Sequence, residues 1–244
     1  MRNSSPEIDF TSRSTGVEIM DDLECHGEVV NQTLRELDFI NQWLGGNAVT
    51  INAIKSVWQS IPTDQPITIA DLGCGSGEIL RILSKLAKRE EREVLLYGFD
   101  ANSNITQFAA SHSLDFNNIS YQVVNVFSPG FQQQKFDIVL ATLFMHHFSE
   151  DELVSLFSRL KQQTTTVIII NDIHRHPWAY HSIKLLTKAF SRSAMVKFDA
   201  PLSVLRAFTK KELQIILRKA GINSYKLTWK WAFRWQLIIP LKSL

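Results

Sequence analysis

Residues 71–77 read Asp71-Leu72-Gly73-Cys74-Gly75-Ser76-Gly77, three glycines at alternate positions directly behind an acidic residue. Ahead of them lies a short apolar run, Ile67 to Leu72, and behind them a helix-like segment, Glu78 to Lys88. A strand that turns through glycines into a helix brings bare backbone against a ligand, because no Cβ stands in the way. The first turn of that helix offers its free N–H groups at the same place. The spacing is GxGxG, which differs from the GxGxxG of the dinucleotide fingerprint.

Outward from this loop the pattern repeats. Val94 to Phe99 is a second apolar run, ending in Asp100, with a helical stretch from Asn102 to His112 behind it. Ile119 to Val124, Phe136 to Ala141 and Val167 to Ile170 supply three more strands, and Glu150 to Gln162 another helix. Short apolar strands alternating with helices predict a parallel sheet covered on both faces. The end of the chain differs. Lys210 to Ala220 reads as a helix closed by Gly221. Asn223 to Trp231 and Arg234 to Leu241 follow with no helix between them, so they are expected to pair antiparallel.

Upstream, Val17 to Leu44 reads as helical, with Leu34, Leu37, Ile40, Trp43 and Leu44 on one face and Gly45-Gly46 as the stop. Ala48 to Trp58 is a second amphipathic stretch that stops near Pro62. Residues 1–16 are polar and aperiodic and read as a flexible tail. The expected organisation is therefore tail 1–16, N-terminal helical extension 17–60 and main domain 61–244. Within that domain Ile173 to Phe208 exceeds an ordinary connection, which predicts a helical lid insertion.

The Asp71–Gly77 loop resembles the E/DxGxGxG motif of class I S-adenosylmethionine (SAM)-dependent methyltransferases. Five β-α units closed by an antiparallel pair are similar to that family's topology, an α/β, Rossmann-like, seven-stranded and mostly parallel sheet. The likeness covers about Ile67 to Ile239. It implies that Gly73, Cys74, Gly75 and Gly77 pack against the aminocarboxypropyl part of SAM while Asp71 orients its amino group. It places Asp100 on both ribose hydroxyls, which a two-oxygen carboxylate can accept together, with Ala101 beside it. Asn125 and Val126 fall near the adenine; the family often has Asp at the first position, but an Asn oxygen can accept the same bond. Thr142 falls beneath the sulfonium.

The acceptor is read from absences and from histidines. The (N/D)PPY motif of enzymes acting on amide or adenine nitrogens is missing after the fourth strand, where Ala141-Thr142-Leu143-Phe144-Met145-His146-His147-Phe148 stands instead. Neither cysteine is placed to be the nucleophile of a cytosine-C5 enzyme. His147 resembles the histidine of the HHF/HHL element of small-molecule methyltransferases, and it competes with a capping role. His174 and His176, after the fifth strand, lie at the sheet edge where α/β proteins hold ligands, as a base or as substrate contacts. Ile183, Leu185, Leu186, Ala189 and Phe190 offer an apolar wall, followed by Met195, Val196 and Phe198. The stretches Ile40–Gly46, Asn171–Pro177 and Phe233–Ile239 look like bacterial methyltransferases associated with polyketide or quinone-type aromatic metabolites. The expected activity is O-methylation of a hydrophobic or aromatic hydroxylated secondary metabolite. C-methylation of quinone type and a non-catalytic SAM-binding module are the alternatives.

The bulk numbers narrow the field further. The chain has 244 residues, 45% hydrophobic and 20% charged, with a net charge of +2 that gives no basic stripe for nucleic acid. Its two cysteines, Cys25 and Cys74, have no disulfide or zinc spacing, and no metal is expected. The first ten residues carry no apolar signal region, and the longest aliphatic run, Val167 to Ile170, is far below the roughly 18 residues of a membrane span. A cytoplasmic monomer or homodimer is expected. Trp229, Trp231, Phe233 and Trp235 alternate with Lys230 and Arg234 between them, which suggests one aromatic face for core, dimer or membrane-surface contact.

Overall fold

The computed structural model describes residues 8–59, 61 and 65–242. The first seven residues of the expected tail, the end of the expected extension at residue 60, and residues 62–64 (with Pro62) and 243–244 of the expected domain lie outside them. Seven strands form one sheet in the order β3-β2-β1-β4-β5-β7-β6. They are β1 (Ile67–Leu72), β2 (Val94–Asp100), β3 (Ile119–Val123), β4 (Phe136–Thr142), β5 (Thr164–Ile173), β6 (Lys226–Lys230) and β7 (Arg234–Pro240). The first five run parallel, and β7 lies antiparallel to both β5 and β6. This is the expected sheet, with the expected terminal pair.

Alternation along the central strands feeds two cores, because successive side chains point to opposite faces. Ala70, Leu72, Val139, Ala141, Ile168 and Ile170 pack on one side with Phe157 of helix α6 (Glu150–Gln163) and Leu213 of α9 (Lys210–Lys219). Ile69, Ile138, Leu140, Val167 and Ile169 pack on the other with Ile54 of α2 (Gly46–Trp58) and Leu83 of α3 (Glu78–Arg89). Both faces are covered, so the strands read as continuous apolar runs.

The N-terminal extension departs from its sequence pattern. Helix α1 spans Glu28–Trp43, and between Val17 and Gly27 there is only a 3-10 turn, Ile19–Asp21. A contact distant in sequence decides this. Asp199 accepts the backbone N–H groups of Ile19 (2.7 Å) and Met20 (3.1 Å), which a continued helix would have spent on its own carbonyls. Asn102 caps α4 (Ser103–Ser111) and donates to Cys25 O, fixing the same segment from below.

The segment expected to form the lid is a helical pair, α7 (Pro177–Phe190) and α8 (Ala194–Arg206), and a single turn, α5 (Pro129–Gln132), lies before β4. The described part of the expected loose tail is docked against this lid. Ser14 N–H donates to Leu205 O, and Arg13 donates to Arg206 O and His146 O. Arg175, with its side chain fully enclosed, reaches Phe10 O and Ala207 O and pairs with Glu212 at 2.6 Å. One buried guanidinium thus ties tail, lid and α9 together.

Replacing it with methionine keeps the bulk and removes the donor from Phe10 O, Ala207 O and Glu212 Oε1. Arg175→Met is expected to lower the unfolding free energy by about 3 kcal/mol, measured in urea, and to expose the bond after Arg13 to trypsin. An unchanged midpoint with Arg13 still protected would contradict the docking role.

Candidate active site

The carboxyl ends of the parallel strands, the N-terminal segment and the lid enclose a cavity of about 1260 Å³. Its floor begins at the glycine loop. Gly73, Gly75 and Gly77 all have positive φ (63°, 52° and 77°). A Cβ on Gly73 would come within 2.1 Å of Phe144 Cδ2, and one on Gly77 within 2.1 Å of Tyr121 Oη. At Gly75 a Cβ would meet nothing within 4 Å, so this glycine turns bare backbone to open space. Cys74 is buried, with its N–H on Phe99 O, and burial pushes its thiol well up.

Two carboxylates flank the loop. Asp71, at the end of β1, is buried with Oδ1 lacking any hydrogen-bond partner. Burial, and then the nearby charge of Asp100, push it up to about 8. Asp100, at the end of β2, accepts Asn102 N–H at 3.0 Å and Gly75 N–H at 3.4 Å, and burial raises it as well. Ala101, Asn125, Val126 and Thr142 also line the cavity, so the residues expected to hold the cofactor border one space except Gly77, which faces Tyr121 behind the loop. Asn125 has a competing task, since its amide oxygen accepts Phe127 N–H at 2.9 Å. Thr142 shares a 2.9 Å hydroxyl contact with Thr50, pinning α2 over the sheet. An orphaned buried carboxylate awaiting a cation, a bare-backbone cradle and a second carboxylate for hydroxyls fit SAM.

Opposite lies a histidine pair. His146 Nδ1 is 2.7 Å from Asp172 Oδ1 and His147 Nδ1 is 2.6 Å from Asp21 Oδ1, with the two rings 4.3 Å apart. Each carboxylate fixes its partner's tautomer, which turns His146 Nε2 toward Glu18 Oε1 at 3.7 Å and leaves Nε2 of His147 as the free nitrogen. Burial pushes Asp172 up, but His146 beside it and its hydrogen bonds hold it below the usual carboxylate range. Asp21 is likewise held low, against burial, by its bonds to His147 and Arg206. Glu18, buried beside them, is pushed up to about 7 by burial.

Among the described residues Glu18, His146 and His147 bring one donor atom each within 4.8 Å of one another, a trio the sequence did not assemble. Arg206 Nη1 already stands 3.4 Å from Glu18 Oε1 and pairs with Asp21, so a cation serves that cluster.

Other expectations need correction. His174 and His176 do not line the cavity. His174 packs on Trp235 (4.8 Å), its N–H bonded to Phe233 O, and burial lowers its pKa. His176 accepts Trp178 N–H as the cap of α7 and stacks on Phe233. Both hold the lid to the terminal hairpin. Of the expected apolar wall, Ile183 and Leu186 line the cavity, whereas Leu185 and Phe190 are 70% and 80% exposed. The aromatic alternation also breaks. Trp229 pairs with Trp235 across the hairpin, Trp235 is buried, and Trp231 to Phe233 form the turn. Asp21, Glu18, Asp38, Arg206 and Arg234 border the cavity without any motif to mark them. Asp38 of α1 accepts Ser76 Oγ over the glycine loop at 2.7 Å.

Residues 69–166 match the family model described as a methyltransferase domain. No curated protein sequence matches the chain. Among solved structures, the plantazolicin methyltransferase BpumL in complex with S-adenosylhomocysteine (SAH) has a TM-score of 0.62 at 15% identity, over 87% of this chain and 93% of that one. Human N-acetylserotonin methyltransferase in complex with SAM has 0.58 at 17%, over 88% and 56%. The CurJ carbon methyltransferase has 0.59 at 13%, over 80% and 54%. The chain spans about half the length of the last two. Residues 69–166 are a methyltransferase domain, and the sheet that contains them has the class I SAM-dependent methyltransferase fold. Among the described residues no helix is long and apolar enough to cross a membrane.

The buried Asp71 gives a pH signature for the ligand-free protein. A carboxyl raised to about 8 on folding keeps its proton while the unfolded chain, near 3.8, has lost it. Stability therefore falls as pH rises through that window. Asp71→Asn is expected to flatten this fall between pH 6 and 8, read by thermal unfolding, while weakening SAH binding. A fall as steep in the variant as in the wild type would contradict it.

Proposed function

We propose that the protein transfers the methyl group of SAM to the hydroxyl of a small, hydrophobic or aromatic metabolite, with His147 as the base. The observation that carries this is the His147–Asp21 dyad, facing the same cavity as the glycine loop and Asp100. Bound SAM supplies an electrophilic methyl on a sulfonium. Displacement at that carbon asks mainly for alignment and for removal of one proton from the acceptor.

The chain's own residues provide both. With Nδ1 held by Asp21, His147 presents Nε2 to take the hydroxyl proton as the carbon–oxygen bond forms and the carbon–sulfur bond breaks. Asp21 steadies the imidazolium that results. The lid helices and the docked segment Thr11–Val17 wall off the reaction, and Ile183, Leu186 and Val204 give the acceptor an apolar surface. The likeness of the stretches around Ile40, Asn171 and Phe233 to polyketide- and quinone-associated enzymes supports an aromatic acceptor. The titles of the similar structures, covering plantazolicin, N-acetylserotonin and carbon methylation, fit a small-molecule role.

The test is methyl transfer from SAM to a panel of phenols and hydroxylated aromatic acids, with the product's attachment atom read by NMR. His147→Ala and Asp21→Asn are expected to lower kcat by roughly 10²-fold or more while SAH affinity stays within about twofold of wild type. Methyl attached to carbon would favour the C-methylation reading. SAH binding without turnover on any acceptor would favour the non-catalytic module.

A further inference from the structure

Arg234 is a buried cation without an anion. It opens β7, and its guanidinium donates one hydrogen bond, from Nη2 to Asn41 Oδ1 at 2.7 Å. Nε and Nη1 are enclosed and donate to nothing, and no described carboxylate pairs with this side chain. The other buried guanidiniums are served differently: Arg175 has Glu212, and Arg206 has Asp21. Burial pushes Arg234 down to about 10, opposed by the distant charge of Asp172, so it stays charged at neutral pH. Enclosing an unpaired guanidinium is strongly unfavourable, and such a group persists where something else brings the counter-charge.

The surroundings are shaped for the guanidinium. A Cβ on Gly46 would lie 2.7 Å from Nη2 and 2.8 Å from Cζ, so a larger residue there would push the guanidinium out of its place against the start of α2. Arg234 lines the cavity, next to Trp231 and Phe233 of the hairpin turn. A cation on the cavity wall with two donors unused is suited to an anion.

Position separates it from the cofactor's amino-acid end. Gly46 is held by Asn171 of β5, which lies two strands from β1 through β4. Arg234 itself opens β7, one strand further out, so three strand spacings, about 14 Å, separate the two backbones. Asp71 is the group suited to the cofactor's ammonium, and Arg234 stands three strands away from it.

We propose that Arg234 recognises a carboxylate on the methyl acceptor, which makes the acceptor an acidic small molecule. This rests on the methyl-transfer reading of the cavity. It narrows the acceptor to a class, a hydroxylated acid in which the carboxylate docks on Arg234 and the apolar body lies along the lid.

The experiment is calorimetric titration of the full chain with two matched pairs of probes. The first is 4-hydroxybenzoate against the neutral 4-hydroxybenzamide, with and without saturating SAH. The second is SAH against its decarboxylated analogue. Wild type is expected to prefer the acid over the amide by about tenfold or more, one charged hydrogen bond's worth. Arg234→Gln is expected to lose that preference; Arg234→Lys, which keeps the charge, retains part of it and serves if the glutamine variant does not fold. A preference found only in the SAH pair and lost in the variant would move the carboxylate to the cofactor and overturn the acceptor assignment. No acid preference in wild type, or the same preference in variant and wild type, would overturn the site altogether. Failure of SAH to bind wild type would count against the methyl-transfer reading, while the acid–amide pair run without SAH still decides on Arg234.

Discussion

Asp172 ends β5 as a fully enclosed carboxylate, and its two oxygens accept the N–H groups of Met145, His146 and Ile173 together with His146 Nδ1. Those bonds fix the exit of β4 to the exit of β5, and with it the place of the histidine pair. His147, the next residue, is thereby turned to meet Asp21 from the N-terminal segment. Arg206 of the lid closes the circuit by pairing with Asp21 and donating to His147 O. Sheet, lid and N-terminal segment, which meet nowhere in sequence, are held around one cavity by charges that carry hydrogen bonds on both sides. Removing one member would leave its partner buried and unpaired, which is what makes such a cluster cooperative.

The charges lining the rest of the cavity are incomplete, and they divide it. Asp71 lacks a cation, Asp100 keeps oxygens for donors, and Arg234 lacks an anion. The carboxyl groups sit at β1 and β2 and the guanidinium at the start of β7, on either side of the strand that leads to the histidine pair. A ligand set that is cationic at one end and anionic at the other completes both. This arrangement ties binding to stability, because each ligand relieves a burial cost already present in the empty protein.

Much of the fold can be read from the chain, because the strands that matter are buried on both faces. β1 is legible to the residue, an apolar run with glycines behind it. β5 is legible only at its centre, Val167 to Ile170. Its outer residues are polar and are kept in the sheet by partners far away: Thr165 by Asp137, and Asn171 by Gly46 and Thr50. Hydrophobic periodicity cannot register such bonds. The same limit turned Val17 to Gly27 into an expected helix, where Asp199 and Asn102 claim its polar groups instead. The expected cofactor side was visible because a contiguous glycine motif marks it and its other residues each follow the end of a parallel strand. The opposite side was not, because Glu18 with Asp21, Arg206 and Arg234 come from three separate segments. His174 and His176 carried the right chemistry on the right edge, and the hairpin turn at Phe233 drew them away from the cavity.

The central claim is that the glycine loop and Asp100 form a SAM site, and calorimetric titration with SAH tests it most directly. The account expects micromolar binding by the full chain, no binding of NADH, and a loss of at least about tenfold in Asp100→Ala, which removes two charged hydrogen bonds to the ribose. A folded wild type that does not bind SAH, or an Asp100→Ala variant that binds it as tightly, would contradict the account.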